Sequence, residues 1–309
     1  MIENFLILIA SLFFVVKGAT LATKYSVFLA ESCRLSKYVI GFIVVTVISI
    51  LPETFISISS ALEGEPSIAL GTLFGSNVAD LTLVFAIIIF FSGRSIKIQS
   101  SILKNNIIFP LLLLVPMILG LNGHFSRLEG LALIIVGSAF YFLALKNDTG
   151  CSPKNNDNEN RFKNFILLLT SMAILLIASH FTVISAMNLA HGLGVKPILI
   201  GLFIISLGTI IPELLFSLKA VKKNHDSLAM GDLLGTVLAD ATIVVGILSL
   251  LTPLYFPPKI IYVTGSFMVL ASCLLVYFMH TGRVISKKEG KLLFLFWLIF
   301  ILTELLINK

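Results

Sequence analysis

The stretch GSNVADLTLVF, Gly75 to Phe85, places Asp80 inside a run that otherwise reads as a membrane-buried helix. A second stretch, GTVLADATIVV from Gly235 to Val245, places Asp240 in the same way. Lipid solvates a carboxylate poorly, so intramembrane acids mark function by default. Two of them behind the same small residues raise the question of a repeat.

The setting comes from composition. The chain has 309 residues, 57% hydrophobic and 12% charged, with a mean hydropathy of +1.04. A soluble domain carries about twice that share of charge. The chain therefore reads as a polytopic membrane protein. Glu3 is the only charge before the first apolar run and no basic segment precedes it, so the first run is expected to be a retained span. Cys33, Cys151 and Cys273 are widely spaced and odd in number, which gives no disulfide framework and no zinc pattern.

At about 20 apolar residues per span, ten helices are expected, near 4–26, 37–62, 67–92, 105–121, 127–145, 163–189, 195–219, 227–250, 259–280 and 290–307. The polar segment 146–162 is a linker between a first unit, 1–145, and a second, 163–309. With the N-terminus outside, 17 Lys and Arg fall in inner loops and four (Arg127, Lys196, Lys259, Lys309) on the outer side, while Lys17 lies within the first helix. The positive-inside rule thus predicts both termini extracellular and the central loop cytoplasmic, in a cell membrane. The formal net charge of +6 follows this sidedness, so a nucleic-acid partner is not expected; nor is an obligate protein partner or a cofactor.

Sliding the chain on itself by 160 positions aligns Gly41 with Gly201, Pro52 with Pro212, Glu53 with Glu213, Gly71 with Gly231, Gly75 with Gly235, and Asp80 with Asp240. Between 41–86 and 201–246, 14 of 46 positions are identical without a gap. The matches include the Gly, Pro, Glu and Asp that lipid disfavours. Five spans is an odd number, so homologous halves would insert upside-down relative to each other. The expected fold is all-α and integral to the membrane: ten transmembrane helices as two inverted five-helix repeats. Such repeats place a binding site near the midplane.

Each half supplies a Pro-Glu pair, Pro52-Glu53 and Pro212-Glu213. A mid-span proline removes a backbone donor, and freed carbonyls are expected near Thr46 and Ser206. Ser49 and Thr209 precede the glutamates by four residues, and Ser76 and Thr236 precede Asp80 and Asp240 likewise. Residues four apart share a helix face. Carboxylates, hydroxyls and carbonyls are hard oxygen ligands suited to Ca²⁺ or Na⁺, and no Cys/His cluster offers a softer site. Each ionised acid at the bilayer centre costs at least about 2.5–3.5 kcal/mol, and bound cations would offset that. Lys17 is read as snorkelling to the surface, His180 as bonding across helices, and Asn77, whose mate is Val237, as secondary to the hydroxyls.

These motifs resemble the cation/Ca²⁺ exchanger superfamily, in particular its prokaryotic Na⁺/Ca²⁺ exchanger branch, over nearly the whole chain. The resemblance implies an antiporter, not an enzyme, working by alternating access, with Ca²⁺ and monovalent cations competing for one site between helices 2, 3, 7 and 8. It implies ligand roles for Glu53, Glu213, Asp80, Asp240, Ser49, Thr209, Ser76 and Thr236, and for the carbonyls of Thr46 and Ser206. It also makes helices 1 and 6 the moving gate. The chain departs from the pattern at Ile50 and Ile210, where the family has serine, at Ile48, where it has glycine, and at Asp80, where many relatives carry asparagine. Na⁺, H⁺ and K⁺ therefore stay open as counter-ions. A cation channel and an intramembrane hydrolase are the remoter readings.

Overall fold

A computed structural model describes residues 2–30, 45–97, 108–146, 161–282 and 284–308. Its helical runs, in chain order, are α1 (Ile2–Ala30), α2 (Thr46–Leu62), α3 (Pro66–Ser92), α4 (Ile108–Asn122), α5 (Arg127–Lys146), α6 (Arg161–Leu193), α7 (Pro197–Lys222), α8 (Asp226–Leu251), α9 (Ile260–Gly265 continuing as Ser266–Gly282) and α10 (Lys287–Ile307). Seven of them are long and apolar enough to cross a membrane by length and composition. Each overlaps an expected span. The start of the second expected span, most of the linker, and Cys33 and Cys151 lie outside the described residues.

Local chemistry sets the ends of these helices in matched pairs 160 residues apart. Before α5 the Ser126 amide donates to Glu129 Oε2 at 2.7 Å, and the Glu129 amide returns to Ser126 Oγ at 3.3 Å. Before α10, Ser286 and Glu289 form the same box, at 2.6 and 3.4 Å. Each box satisfies two amides that a helix start leaves without partners. The α2–α3 and α7–α8 turns each place one residue in the left-handed region, Gly64 at φ 79° and Asn224 at φ 60°. Glycine and asparagine accept that conformation most readily.

Two short antiparallel ribbons join loops distant in sequence. β1 (Ile96–Lys97), after α3, pairs with β4 (Val284–Ile285), before α10. β2 (His124–Phe125), before α5, pairs with β3 (Leu254–Tyr255), after α8. The first ribbon thus gathers loops expected inside, and the second gathers loops expected outside.

Helices α3 and α8 form the centre. Residues 68–86 of α3 and 229–242 of α8 are buried almost without interruption. Close approach explains the glycines between α3 and α7. A Cβ on Gly71 would meet the Ile198 carbonyl oxygen at 3.0 Å, and one on Gly201 would meet that of Ile68 at 2.7 Å. Only a residue without a side chain lets two backbones come so near. At the periphery α1 packs chiefly on α6. Leu8, Val15, Ala19, Leu175, Val183 and Ala186 belong to a second apolar cluster, separate from the main one. Phe5, Leu6, Ile9, Phe13 and Phe14 on the outer face of α1 are exposed, where lipid would cover them.

Candidate functional site

The site begins with two helix irregularities. At Asp80 and at Asp240 the α-helix widens into a π segment, Asp80–Val84 and Asp240–Val244. Such bulges break the regular backbone ladder and recur at functional positions. Both contain a threonine, Thr82 and Thr242, whose hydroxyl donates back to the carbonyl four residues earlier, Val78 and Leu238. The two halves thus carry the same distortion at the same carboxylate.

The matching irregularity in α2 and α7 lies just before the Pro-Glu pairs. Helix α2 is interrupted at Ile50 and α7 at Ile210, and each proline falls in the first turn of the segment that resumes. The free carbonyls expected at Thr46 and Ser206 need correction. Thr46 O accepts the Ile50 amide at 3.0 Å, and Ser206 O accepts the Ile210 amide at 3.1 Å and the Thr209 hydroxyl at 3.1 Å. By the i→i−4 register, the carbonyls that the prolines deprive of a donor are those of Ile48 and Gly208.

All ten residues expected to be cation ligands are buried. Glu53, Glu213, Asp80, Asp240, Ser49, Thr209, Ser76, Thr236, Thr46 and Ser206 are each at most 1% exposed. The carboxylates of Glu53, Asp80 and Asp240 act electrostatically on one another, as do those of Glu53, Asp80 and Glu213. The hydroxyls mostly turn to partners other than the acid four residues on. Ser49 Oγ donates to Asp232 Oδ1 at 3.0 Å, Ser76 Oγ to the Leu73 carbonyl at 3.0 Å, and Ser206 Oγ to that of Leu202. Thr209 lies within hydrogen-bonding reach of Glu53 across the two halves.

Many oxygens here are left over. Glu53 Oε2, both oxygens of Glu213, Asp80 and Asp240, and Thr236 Oγ1 are buried with no hydrogen-bond partner in the protein. A native fold leaves few buried polar groups unpaired, and a site built to hold an ion is one of the accepted reasons. The donor set fits such an ion: it is all oxygen and rich in negative charge. Among the described residues no three acids, histidines or cysteines are grouped tightly enough to hold a metal by themselves. Hydroxyls, carbonyls and water would have to complete any coordination shell, as Ca²⁺ commonly allows.

The structure adds residues that the sequence reading did not select. Asp232 is 0% exposed, and its charge acts on Glu53, Asp80 and Glu213. Ser57 and Ser217, four residues after the two glutamates, are fully buried with unpartnered hydroxyls. Their identity across the repeat and their spacing were available signals. Asn77 donates to Met268 Sδ at 3.5 Å and leaves its amide oxygen unpartnered, so it ranks with the hydroxyls rather than below them. Lys17 is exposed, with Nζ 5.6 Å from the Phe13 ring centroid. His180 is exposed beside Phe181. Neither belongs to the site.

A family model described as "Sodium/calcium exchanger protein" matches residues 3–145 and 163–306. The sodium/calcium exchanger MaX1 of Methanosarcina acetivorans is 25% identical over 346 residues, covering 96% of this chain and 97% of that protein. The sodium-calcium exchanger NCX_Mj, soaked with 2.5 mM Na⁺ and 1 mM Sr²⁺, superposes with a TM-score of 0.73 at 24% identity and 98% coverage of both chains. The H⁺/Ca²⁺ exchanger CAX gives 0.81 at 17% identity, over 97% of this chain and 82% of that one. At these identities the two solved structures bear on the fold alone.

Proposed function

We infer that this chain, which belongs to the sodium/calcium exchanger protein family, is a secondary active antiporter exchanging Ca²⁺ for a monovalent cation across a membrane. The observation that carries this is the set of buried, mutually repelling carboxylates with unpartnered oxygens, contributed by both halves. In a membrane interior such a set is stable only when cations or protons neutralise it. Neutralisation then becomes the condition for moving the site from one face to the other. An empty site stays charged and does not switch.

In this reading the ten helices span the membrane as two inverted repeats of five, with both termini outside and the 146–162 loop in the cytoplasm. The paired capping boxes, left-handed turns and π segments support the repeat, and the two ribbons support the grouping of loops. Glu53, Glu213, Asp80, Asp240, Ser49, Thr209, Ser76 and Thr236 supply cation ligands. Thr46 joins through the second lone pair of its carbonyl, and Ser206 through the lone pair that the Thr209 hydroxyl gives up when it turns to the cation. Helices α1 and α6, which pack chiefly on each other at the periphery, slide across that centre as the gate.

Na⁺ and H⁺ are both compatible counter-ions. The loss of two serines at Ile50 and Ile210 and the presence of Asp80 favour a site richer in charge and poorer in hydroxyls, which suits protons. Ca²⁺ uptake into proteoliposomes under separate Na⁺, K⁺ and pH gradients decides between them. Uptake driven by any of the three supports antiport. Equal uptake with no counter-ion gradient would make the protein a channel.

A further inference from the structure

Asp232 is a buried carboxylate outside the ligand set just proposed. It lies on α8 four residues before Thr236 and eight before Asp240. Oδ1 accepts the Ser49 hydroxyl at 3.0 Å, and Oδ2 has no partner. The Thr46 hydroxyl reaches the Asp232 backbone carbonyl at 3.4 Å. Another buried acid, Glu304 on α10, shows the contrast: Thr264 donates to its Oε1 and Asn308 to its Oε2. Glu304 is satisfied by protein, whereas Asp232 keeps one oxygen unused while its charge acts on the central carboxylates.

The repeat makes Asp232 informative. Its mate, 160 positions earlier, is Thr72, whose hydroxyl is also fully buried and unpartnered. The position is polar in both halves and charged in one. It also has a side. Asp226 opens α8 and pairs with Arg94, just beyond the end of α3. At 1.5 Å per residue, Asp232 lies about 9 Å along the axis from that end, and Asp240 about 12 Å further. Asp232 therefore stands between the α8 start and the central acids. Thr72, near the start of α3, stands between those acids and the opposite face.

We propose that Asp232 Oδ2 and the Ser49 hydroxyl form a second Ca²⁺ position on the α8-start side of the central acids, so that the protein binds Ca²⁺ more tightly from that face than from the other. The inference rests on the antiport reading, in whose orientation that face is cytoplasmic. Ser49 serves both positions: its proton goes to Asp232 while its lone pairs remain for a cation. Calcium affinity rises with the number of charged ligands, so a carboxylate on one approach and a threonine on the other yields unequal faces.

The test uses the full chain in proteoliposomes of known sidedness, reading the Ca²⁺ concentration for half-maximal uptake from each face. Asp232→Asn is expected to raise it about tenfold at the α8-start face and to leave the other face within about twofold, the scale that one charged ligand sets. Asp232→Thr, which restores the symmetry of the repeat, should behave the same way. Thr72→Asp should lower it at the opposite face. Equal shifts at both faces, or none, overturn the proposal. If the Asp232 variants do not fold, Thr72→Asp decides alone, and an unchanged opposite face refutes the idea. Glu53→Gln separates the two levels: wild-type uptake in that variant sinks the antiport reading, whereas symmetric faces alongside an inactive Glu53→Gln sink only the second position.

Discussion

The hydroxyl of Ser49, in the first half of the chain, donates to the carboxylate of Asp232, in the second, at 3.0 Å. By the repeat, the corresponding contact would join Thr209 to Thr72. There the Thr209 hydroxyl instead donates to Ser206 O at 3.1 Å, and Thr72 keeps an unpartnered hydroxyl. At positions 160 residues apart, threonine in the first half and aspartate in the second thus give one neutral and one acidic group.

Ser49→Ala leaves Asp232 Oδ1 buried without a donor. The expected loss of stability is about 1–3 kcal/mol, seen as a lower melting temperature in detergent without Ca²⁺. Ser49→Thr keeps the hydroxyl and should recover most of the loss.

Calcium should raise the melting temperature of the purified protein, because a ligand that binds only the folded state stabilises it. At a hundred times Kd the gain is about 2.7 kcal/mol. Glu53→Gln should melt higher than the wild type without Ca²⁺, since one repelling charge is gone, and should respond little when Ca²⁺ is added. A full Ca²⁺ response in Glu53→Gln would remove that residue from the site.

Gly201→Ala puts a Cβ 2.7 Å from the Ile68 carbonyl oxygen and forces α7 away from α3. Overpacking of this kind costs about 1–3 kcal/mol. Gly64→Ala is the control: nothing lies within 4 Å of its added Cβ, and only the left-handed backbone is strained. The Gly201 variant should lose transport at temperatures where the Gly64 variant still works.

The Arg94–Asp226 pair holds the end of α3 to the start of α8 through two contacts, Nη1–Oδ2 at 2.8 Å and Nη2–Oδ1 at 2.6 Å. The hydrogen bonds that Arg94 donates to the Asp226 carboxylate raise the guanidinium above its ordinary value. A raised folded-state value means that the contribution is complete at neutral pH and is lost only as pH rises through the arginine range. Asp226→Asn should therefore lower the melting temperature by a similar amount at pH 6 and pH 8. Arg94→Lys should not restore it, because an ammonium cannot make the forked contact.

Much of this site was legible in the sequence because lipid penalises its residues. Glu53, Asp80, Glu213 and Asp240 stand out where Leu, Ile and Val would be silent, and the offset of 160 pairs them. The same filter hid Asp232, since a search for matched acids passes over a position whose mate is Thr72. The π segments leave no trace in residue type: Asp80–Val84 and Asp240–Val244 contain an acid, whereas Ile200–Ile205 and Ile260–Gly265 do not. The carbonyls at Thr46 and Ser206 keep the Ile50 and Ile210 amides as partners, because a proline deprives the carbonyl four residues before it, here Ile48 and Gly208. The two-residue ribbons are too short to show any alternation and are fixed by which loops the bundle brings together.

In the proposed antiporter, oxygens from both halves hold the transported cation between them. Equilibrium binding of radioactive Ca²⁺ to the detergent-solubilised protein, compared across wild type, Glu53→Gln and Glu213→Gln, tests it most directly. Saturable binding in the wild type, lost in each variant, is the predicted result. Wild-type binding retained in both variants would contradict the account.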